Sequence, residues 1–269
     1  MITINNLGFY YKKEKPIVKS ISTQLQSGKI YGLLGLNGEG KTTLLKLLAG
    51  LLFPKTGVIT IDNKFPSTER SKEYFEQLYM VPDQPTSSAL HIPEFIKIYS
   101  IFYKDFSHQL FEEALIAFNI APKSKIKSLS FGQQKKFHLA FALATNTKLL
   151  LLDEPTNGLD IPSKAIFRKL LAKVTDDEKI IIISTHLVHD IENLIDHVLI
   201  IKEGLLVLDS NINAILQLYS FGYTSMLTDD ILYSEKSIAN YKTIRHNQDN
   251  RETAIDIELL FNAIQDQKL

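Results

Sequence analysis

The spacing of apolar residues changes along the chain, and each change predicts a different kind of element. Ile2 and Ile4 alternate with polar neighbours, and so do Ile21, Thr23 and Leu25, which predicts two half-buried strands. The second ends at Ser27-Gly28, and the polar stretch FYYKKEKP between them predicts a turn. Residues 29–34, KIYGLL, predict a buried strand. After it, Leu44, Leu47, Leu48, Leu51 and Leu52 recur at helical spacing, which predicts a helix with one face on a sheet, stopped by Pro54. Residues 57–62 predict a short strand, 67–78 a helix, and 78–81 extended chain running into Pro82.

Across 83–145 the strand pattern gives way to aromatic helical segments, IPEFIKIYSIFYKDF and HQLFEEALIAFNI. Pro93 suits a first helical turn. Phe95, Ile98, Tyr99 and Phe102 share one face, as do Leu110, Ala114 and Phe118. Such a stripe predicts core packing first and a partner-binding surface second. From residue 146 the α/β pattern returns. Lys148–Leu152 and Lys179–Ile183 are near-continuous apolar runs, as in parallel strands covered on both faces. Between them a helix follows Pro162, with Ala165, Ile166, Leu170 and Val174 expected inward. HVLIIKEGLLVLDS predicts a hairpin turning at Glu203-Gly204. Residues 213–269 are less periodic and end in an amphipathic helix with Ile257, Leu260, Phe261 and Ile264 on one face, a C-terminal appendage folded onto the main domain.

Composition narrows the class only a little. The 269 residues suffice for one large domain or two small ones, and 45% hydrophobic content is ordinary for a folded protein. Thirty basic residues balance thirty acidic ones, so no charge bias calls for nucleic acid, and no nucleic-acid partner is expected. The absence of cysteine excludes disulfides, iron–sulfur clusters and thiol catalysis. The basic turn after the N-terminal apolar alternation is the reverse of a secretory leader. No run approaches the roughly 18 apolar residues that span a bilayer, so the chain is not expected to cross a membrane by itself.

The chemistry concentrates at GLNGEGKTT, Gly35–Thr43, placed between strand and helix. Gly35, Gly40, Lys41 and Thr42 meet the P-loop pattern G-x-x-x-x-G-K-[ST]. Glycines let successive N–H groups curl around one concavity, and the helix N-terminus behind them also favours phosphate. Lys41 supplies a mobile charge for β- and γ-phosphates, and Thr42 a hydroxyl for Mg²⁺. The plainer alternative is a glycine-rich turn before a helix. LLLLDEP places Asp153 and Glu154 at a strand tip: the first can hold Mg²⁺, the second can act as general base to water. Without a P-loop, the same pair would read as a charged surface turn. IIIISTH sets His186 at the tip of a neighbouring strand, within reach of a γ-phosphate. LSFGQQ opens a helix, so Ser130 and the Gly132 backbone form either a second anion site or a simple helix cap.

Together these motifs resemble the nucleotide-binding subunit of an ABC (ATP-binding cassette) transporter, over residues 1–212. Walker A is Gly35–Thr43, the signature Leu129–Gln133, Walker B Leu149–Asp153 followed by Glu154, the D-loop Gly158-Leu159-Asp160 and the switch histidine His186. The resemblance implies an α/β P-loop NTPase fold: a RecA-like mixed-sheet core, an N-terminal antiparallel β subdomain and a helical subdomain inserted at about 83–145, with 213–269 appended. It implies ATP and Mg²⁺ as cofactors, with Asn37, Gly38 and Thr43 completing the phosphate loop. It implies a second ATPase subunit, identical or not, arranged head to tail. Ser130, Gly132 and Gln133 would then meet the ATP held by the partner, and Asp160 would couple the two sites. An aromatic residue some thirty positions before the Walker lysine stacks on adenine in the family; Tyr11 is nearest, with Tyr10 the alternative. The family usually has glutamine directly after the Q-loop proline, whereas this chain reads Val81-Pro82-Asp83-Gln84-Pro85. Asp83 takes the position in strict register, with Gln84 displaced by one, so the resemblance implies that either Asp83 reaches the Mg²⁺ shell or the loop shifts so that Gln84 does.

The function implied is the ATPase of a membrane transporter with separate transmembrane subunits that dock on the helical subdomain, at the cytoplasmic face of the cell membrane. The alternative is a soluble single-cassette ATPase such as one serving cluster assembly. The helical insert and tail resemble the ABC-2-type export group, which favours export.

Overall fold

The computed structural model describes residues 1–248 and 251–269. β1 (Ile2–Lys12) and β2 (Lys15–Leu25) pair antiparallel, with Ile2 opposite Leu25 and Lys12 opposite Lys15. FYYKKEKP is therefore mostly strand, and only Lys13-Glu14 turns. Phe9 is the reason: its ring is buried opposite Val18, which extends the pairing through the polar residues around it.

β3 (Lys29–Leu34) leads through Walker A into α1 (Lys41–Leu48). Its side chains alternate between two apolar clusters, Ile30 and Leu34 in one, Tyr31 and Leu33 in the other. The helix stops earlier than its leucine spacing predicts. Gly50 takes φ +66, the left-handed C-terminal stop, well before Pro54, and Leu51 is left 55% exposed. β4 (Thr56–Ile61) and the short β5 (Phe65–Pro66) complete an antiparallel sheet in the order β2-β1-β4-β5. The helix expected over 67–78 shrinks to α2 (Lys72–Glu76), because Phe65 and Pro66 pair with β4 and Ser71 provides the N-cap.

β6 (Leu78–Val81) precedes three helices, α3 (Ile92–Tyr99), α4 (His108–Ala117) and α5 (Phe131–Ala144). Their common core is aromatic. Phe141 is fully buried and meets the rings of Tyr79, Phe95, Tyr103, Phe106 and Phe111 at centroid distances of 5.2 to 6.4 Å. The predicted aromatic face of α3 divides here. Phe95 enters the core, whereas Ile98, Tyr99 and Phe102 face outward beside Ile101, itself 75% exposed. Packing on α5 needs only one edge of α3, so the rest of its apolar surface stays uncovered.

β7 (Leu149–Asp153), α6 (Ile161–Val174), β8 (Ile180–Ser184), β9 (His197–Lys202) and β10 (Leu205–Asn211) restore the α/β pattern. The main sheet runs β10-β9-β3-β8-β7-β6 and is parallel except for β10 at its edge. Glu203 and Gly204 both take positive φ, as the tight β9–β10 turn requires. On α6 the inward face is Phe167, Leu170, Leu171 and Val174, while Ala165 is exposed and Ile166 half-buried. The bulk of Phe167 rotates the buried stripe away from Ala165.

Residues 213–269 carry more order than their periodicity predicts. α7 (Ile212–Leu218) precedes β11 (Tyr219–Thr224), β12 (Ile231–Lys236) and β13 (Tyr241–His246), an antiparallel sheet in the order β11-β13-β12. These strands escape sequence reading because most of their residues are only half-buried. α8 (Ile257–Gln265) buries Ile257, Leu259, Leu260, Ala263 and Ile264; Phe261, expected on that face, is half-buried. Ile215, Phe221, Ile244 and the α8 residues join the same apolar cluster as Val198 and Ile200 of β9.

Candidate nucleotide site

The Walker residues and His186 follow the C-terminal ends of β3, β7 and β8, adjacent parallel strands where an open α/β sheet forms its crevice. The loop after β3 is shaped by its glycines. Gly38 and Gly40 take φ of +88 and +105, and a Cβ on Gly40 would lie 2.9 Å from the Ile17 carbonyl oxygen of β2. A Cβ on Gly35 would meet the Ile201 carbonyl at 2.8 Å. Glu39 Oε2 accepts from the Leu36 amide at 2.6 Å and braces the loop from within.

Lys41, the first residue of α1, is 7% exposed and donates to the Gly35 and Leu36 carbonyls at 2.7 and 3.1 Å. Burial lowers its pKa, and the nearby Glu154, Glu39 and Asp153 charges work in the opposite direction. Thr42 Oγ1 donates to Asp153 Oδ2 at 2.8 Å, so Walker A and Walker B are in direct contact. The other Asp153 oxygen accepts from Ser184 Oγ at 2.5 Å. Asp153 itself is 1% exposed.

Glu154 follows with φ +48, a left-handed conformation rare in residues with a side chain. Its amide donates to the Ser184 carbonyl at 3.0 Å and its own carbonyl accepts from Lys135 Nζ at 2.6 Å. The carboxylate is consequently turned towards β8, where Oε1 lies 2.9 Å from His186 Nδ1. Tyr11, Ile17, Asn37, Gly38, Gly40, Lys41, Thr42, Thr43, Asp83 and Glu154 surround a cleft of about 350 Å³. Asp83, not Gln84, lines it; Gln84 is exposed outside. Tyr11 stands at the mouth, 61% exposed and edge-on to Phe9 at 4.9 Å, while Tyr10 sits by Lys55 instead.

The signature residues lie elsewhere. Ser130 caps α5 in a reciprocal capping box with Gln133 and is exposed, and neither it nor Gly132 lines the cleft. A Cβ on Gly132 would come within 3.0 Å of the Gly158 carbonyl, so the signature and the D-loop are packed backbone to backbone. Asp160 caps α6 by accepting from the Ser163 amide at 2.8 Å and pairs with Lys136 at 3.4 Å; the Ser163 hydroxyl, and then its amide, hold the carboxyl below the usual range. Phe131 and Ile161 flank this surface, 51% and 82% exposed.

A family model described as ABC transporter matches residues 18–157. The chain belongs to the ABC transporter family. Among curated relatives, an uncharacterised ABC transporter ATP-binding protein of Bacillus subtilis (strain 168), YdbJ, is 34% identical over 193 residues, 71% of this chain and 63% of that protein. The match thus spans somewhat less than two thirds of that relative's length. Among solved structures, the ATP-binding subunit of an ABC transporter superposes with a TM-score of 0.73 at 23% identity, covering 80% of this chain and 91% of its own. The dimeric ATP-binding cassette MJ0796, in a post-hydrolysis state bound to ADP and Pi, gives 0.68 at 23% identity over 79% and 99%. As an ABC transporter ATP-binding protein the chain is an ATPase with the P-loop cassette fold expected from its motifs. No helix among the described residues is long and apolar enough to cross a membrane.

Three participants in this cassette's site were not singled out from sequence. Ser184 is visible in IIIISTH as a hydroxyl at a strand tip, but only the β7–β8 register, Asp153 opposite Ser184, shows what it binds. Asn157 donates to Asp83 Oδ1 at 3.2 Å across 74 residues. Lys135 is a charged residue at a core-facing helix position, five residues after Ser130, and that mismatch is a readable signal.

Proposed function

We propose that the chain is the ATP-hydrolysing half-site of a membrane exporter whose transmembrane subunits are separate polypeptides. The observation that carries this reading is one open cleft lined by Lys41, Thr42 and Glu154, with Asp153 hydrogen-bonded to Thr42 and His186 to Glu154 behind that lining, and with Ser130 and Gly132 on a surface outside it. One chain then supplies the phosphate cradle and the base, and a second chain, identical or not, supplies the signature that closes on the γ-phosphate.

In this reading the Gly35–Thr43 amides and Lys41 hold the β- and γ-phosphates, and Tyr11 offers its exposed face to adenine. Glu154 takes a proton from water as its oxygen attacks the γ-phosphorus and the bond to ADP breaks. His186, carrying its proton on Nδ1, donates to Glu154 Oε1 and orients that carboxylate. The Thr42 hydroxyl and buried Asp153 carboxylate form a converging all-oxygen pair of the kind Mg²⁺ takes. They would hold the ion, with Asp83 across the cleft, and the ion would supply charge stabilisation of the phosphates. Ser130, Gly132, Gln133 and Asp160 serve the second copy across the dimer.

Residues 1–212 form the ATPase domain with the helical insert at about 83–145, and 213–269 the appendage. The uncovered apolar surface of Ile98, Tyr99, Ile101 and Phe102 supports a docking face for the transmembrane partner, in keeping with a subunit at the cytoplasmic face of the membrane. Export follows the resemblance of the helical insert and tail to the ABC-2-type group. Affinity capture of the tagged chain from detergent extract tests the reading: a multi-spanning membrane protein should co-purify in stoichiometric amount. Recovery of the chain with soluble partners alone overturns it.

A further inference from the structure

Among the described residues Lys135 is the largest charged side chain that is fully enclosed, with none of its side chain exposed, and it sits between three functional segments. It belongs to α5, the helix that begins with the signature. Its Nζ donates to the Asp83 carbonyl at 3.0 Å, to Asp83 Oδ1 at 3.2 Å and to the Glu154 carbonyl at 2.6 Å. A buried ammonium is retained only where its protons are all received, and these three acceptors match its three donors. Burial lowers the pKa of Lys135, and the hydrogen bond and charge of Asp83 oppose that shift.

Two features of the site need such a group. First, Asp83 stands where the family's usual neutral glutamine would be, and it lines the cleft together with Glu154. An unpaired carboxylate there would repel a triphosphate. Second, Glu154 holds φ +48, and its backbone is fixed from both sides: the amide by Ser184, the carbonyl by Lys135. An outlying backbone conformation persists only where its surroundings enforce it.

We propose that Lys135 is a positioning residue for ATP hydrolysis, neutralising Asp83 towards the nucleotide and fixing the Glu154 backbone so that its carboxylate faces the cleft. Through it the signature helix, the Q-loop and the catalytic strand tip are joined at one nitrogen. A shift of α5 against the sheet therefore changes both the charge facing the phosphates and the aim of the base.

The inference rests on the half-site reading above, and steady-state kinetics on the full chain separate the two. Wild-type hydrolysis together with its loss in Glu154→Gln establishes the site independently of Lys135. Lys135→Met should then lower kcat by about tenfold or more and raise KM for ATP by about fivefold, because Asp83 is left uncompensated. Adding Asp83→Gln to Lys135→Met should return KM to within about twofold of wild type while kcat stays low. That split is not produced by a loss of packing, which lowers kcat and raises KM together and is not repaired by removing a charge. Wild-type constants in Lys135→Met overturn the proposal, as does a double variant whose KM stays as high as the single's. If Lys135→Met does not fold, Lys135→Gln with Asp83→Gln gives a neutral pair, and the same low kcat with near-normal KM is expected; wild-type kcat in that variant overturns the positioning role.

Discussion

Thr42 and Asp153 are 111 positions apart and share a 2.8 Å hydrogen bond. The contact joins the first turn of α1 to the tip of β7 and makes the two Walker motifs one structural unit. Removing the hydroxyl while keeping the shape, as in Thr42→Val, should raise the Mg²⁺ concentration for half-maximal hydrolysis by about tenfold. An Mg²⁺ titration at saturating ATP reads this directly, and an unchanged midpoint rules out Thr42 as a metal contact.

Glu154 is aimed by its backbone and by His186. Glu154→Gln preserves the shape and removes the basic oxygen. Turnover should fall by about 10²–10³ while ATP affinity is kept, and ATP should drive the variant into a dimer measurable by light scattering. Near-normal turnover removes Glu154 from the role of base.

His138 of α5 is 9% exposed, packs against the rings of Phe95 and Phe137, and leaves Nε2 without a partner. Burial pushes its pKa from 6.5 down to about 4. Between those values the unfolded chain binds a proton that the folded chain refuses, so stability falls as pH drops from 6.5 towards 4. The loss amounts to something on the order of 3 kcal/mol across the window. Denaturant unfolding of His138→Phe should show a flatter pH dependence by that amount, whereas parallel curves for the two proteins refute the assignment.

Ile101 and Phe102, 75% and 58% exposed, close the outward apolar face that α3 begins. Glutamate at both positions should leave the melting temperature within about 2 °C and abolish co-purification with the membrane partner. A large drop in melting temperature instead returns this surface to the folded core.

The fold was legible where one rule acted alone. The buried parallel strands, the P-loop and the Glu203-Gly204 hairpin each carry a local signature that nothing distant contradicts. The sequence reading failed where a partner outside the window decided. Gly50 ended α1 against its own leucine spacing, Phe9 pulled polar residues into a strand, and the weakly patterned sheet of 219–246 depends on α8 for cover. The site shows the same division. Lys41, Asp153 and Glu154 lie in recognisable strings, whereas Ser184, Asn157 and Lys135 matter through contacts across 31, 74 and 52 residues.

Lys202 at the end of β9 donates to the Ile264 and Gln265 carbonyls of α8, at 3.3 and 2.6 Å. β9 lies directly against β3, the strand that carries the phosphate loop. During synthesis the cradle of Gly35–Thr43 therefore emerges early, on a sheet whose neighbouring strand cannot receive its cover until α8 has left the ribosome. The nascent chain holds its phosphate loop on an unfinished flank, and α8 is the piece that finishes it. An adenine nucleotide that finds the loop before then meets a scaffold still open to misassembly and to chaperones that read bare apolar surface.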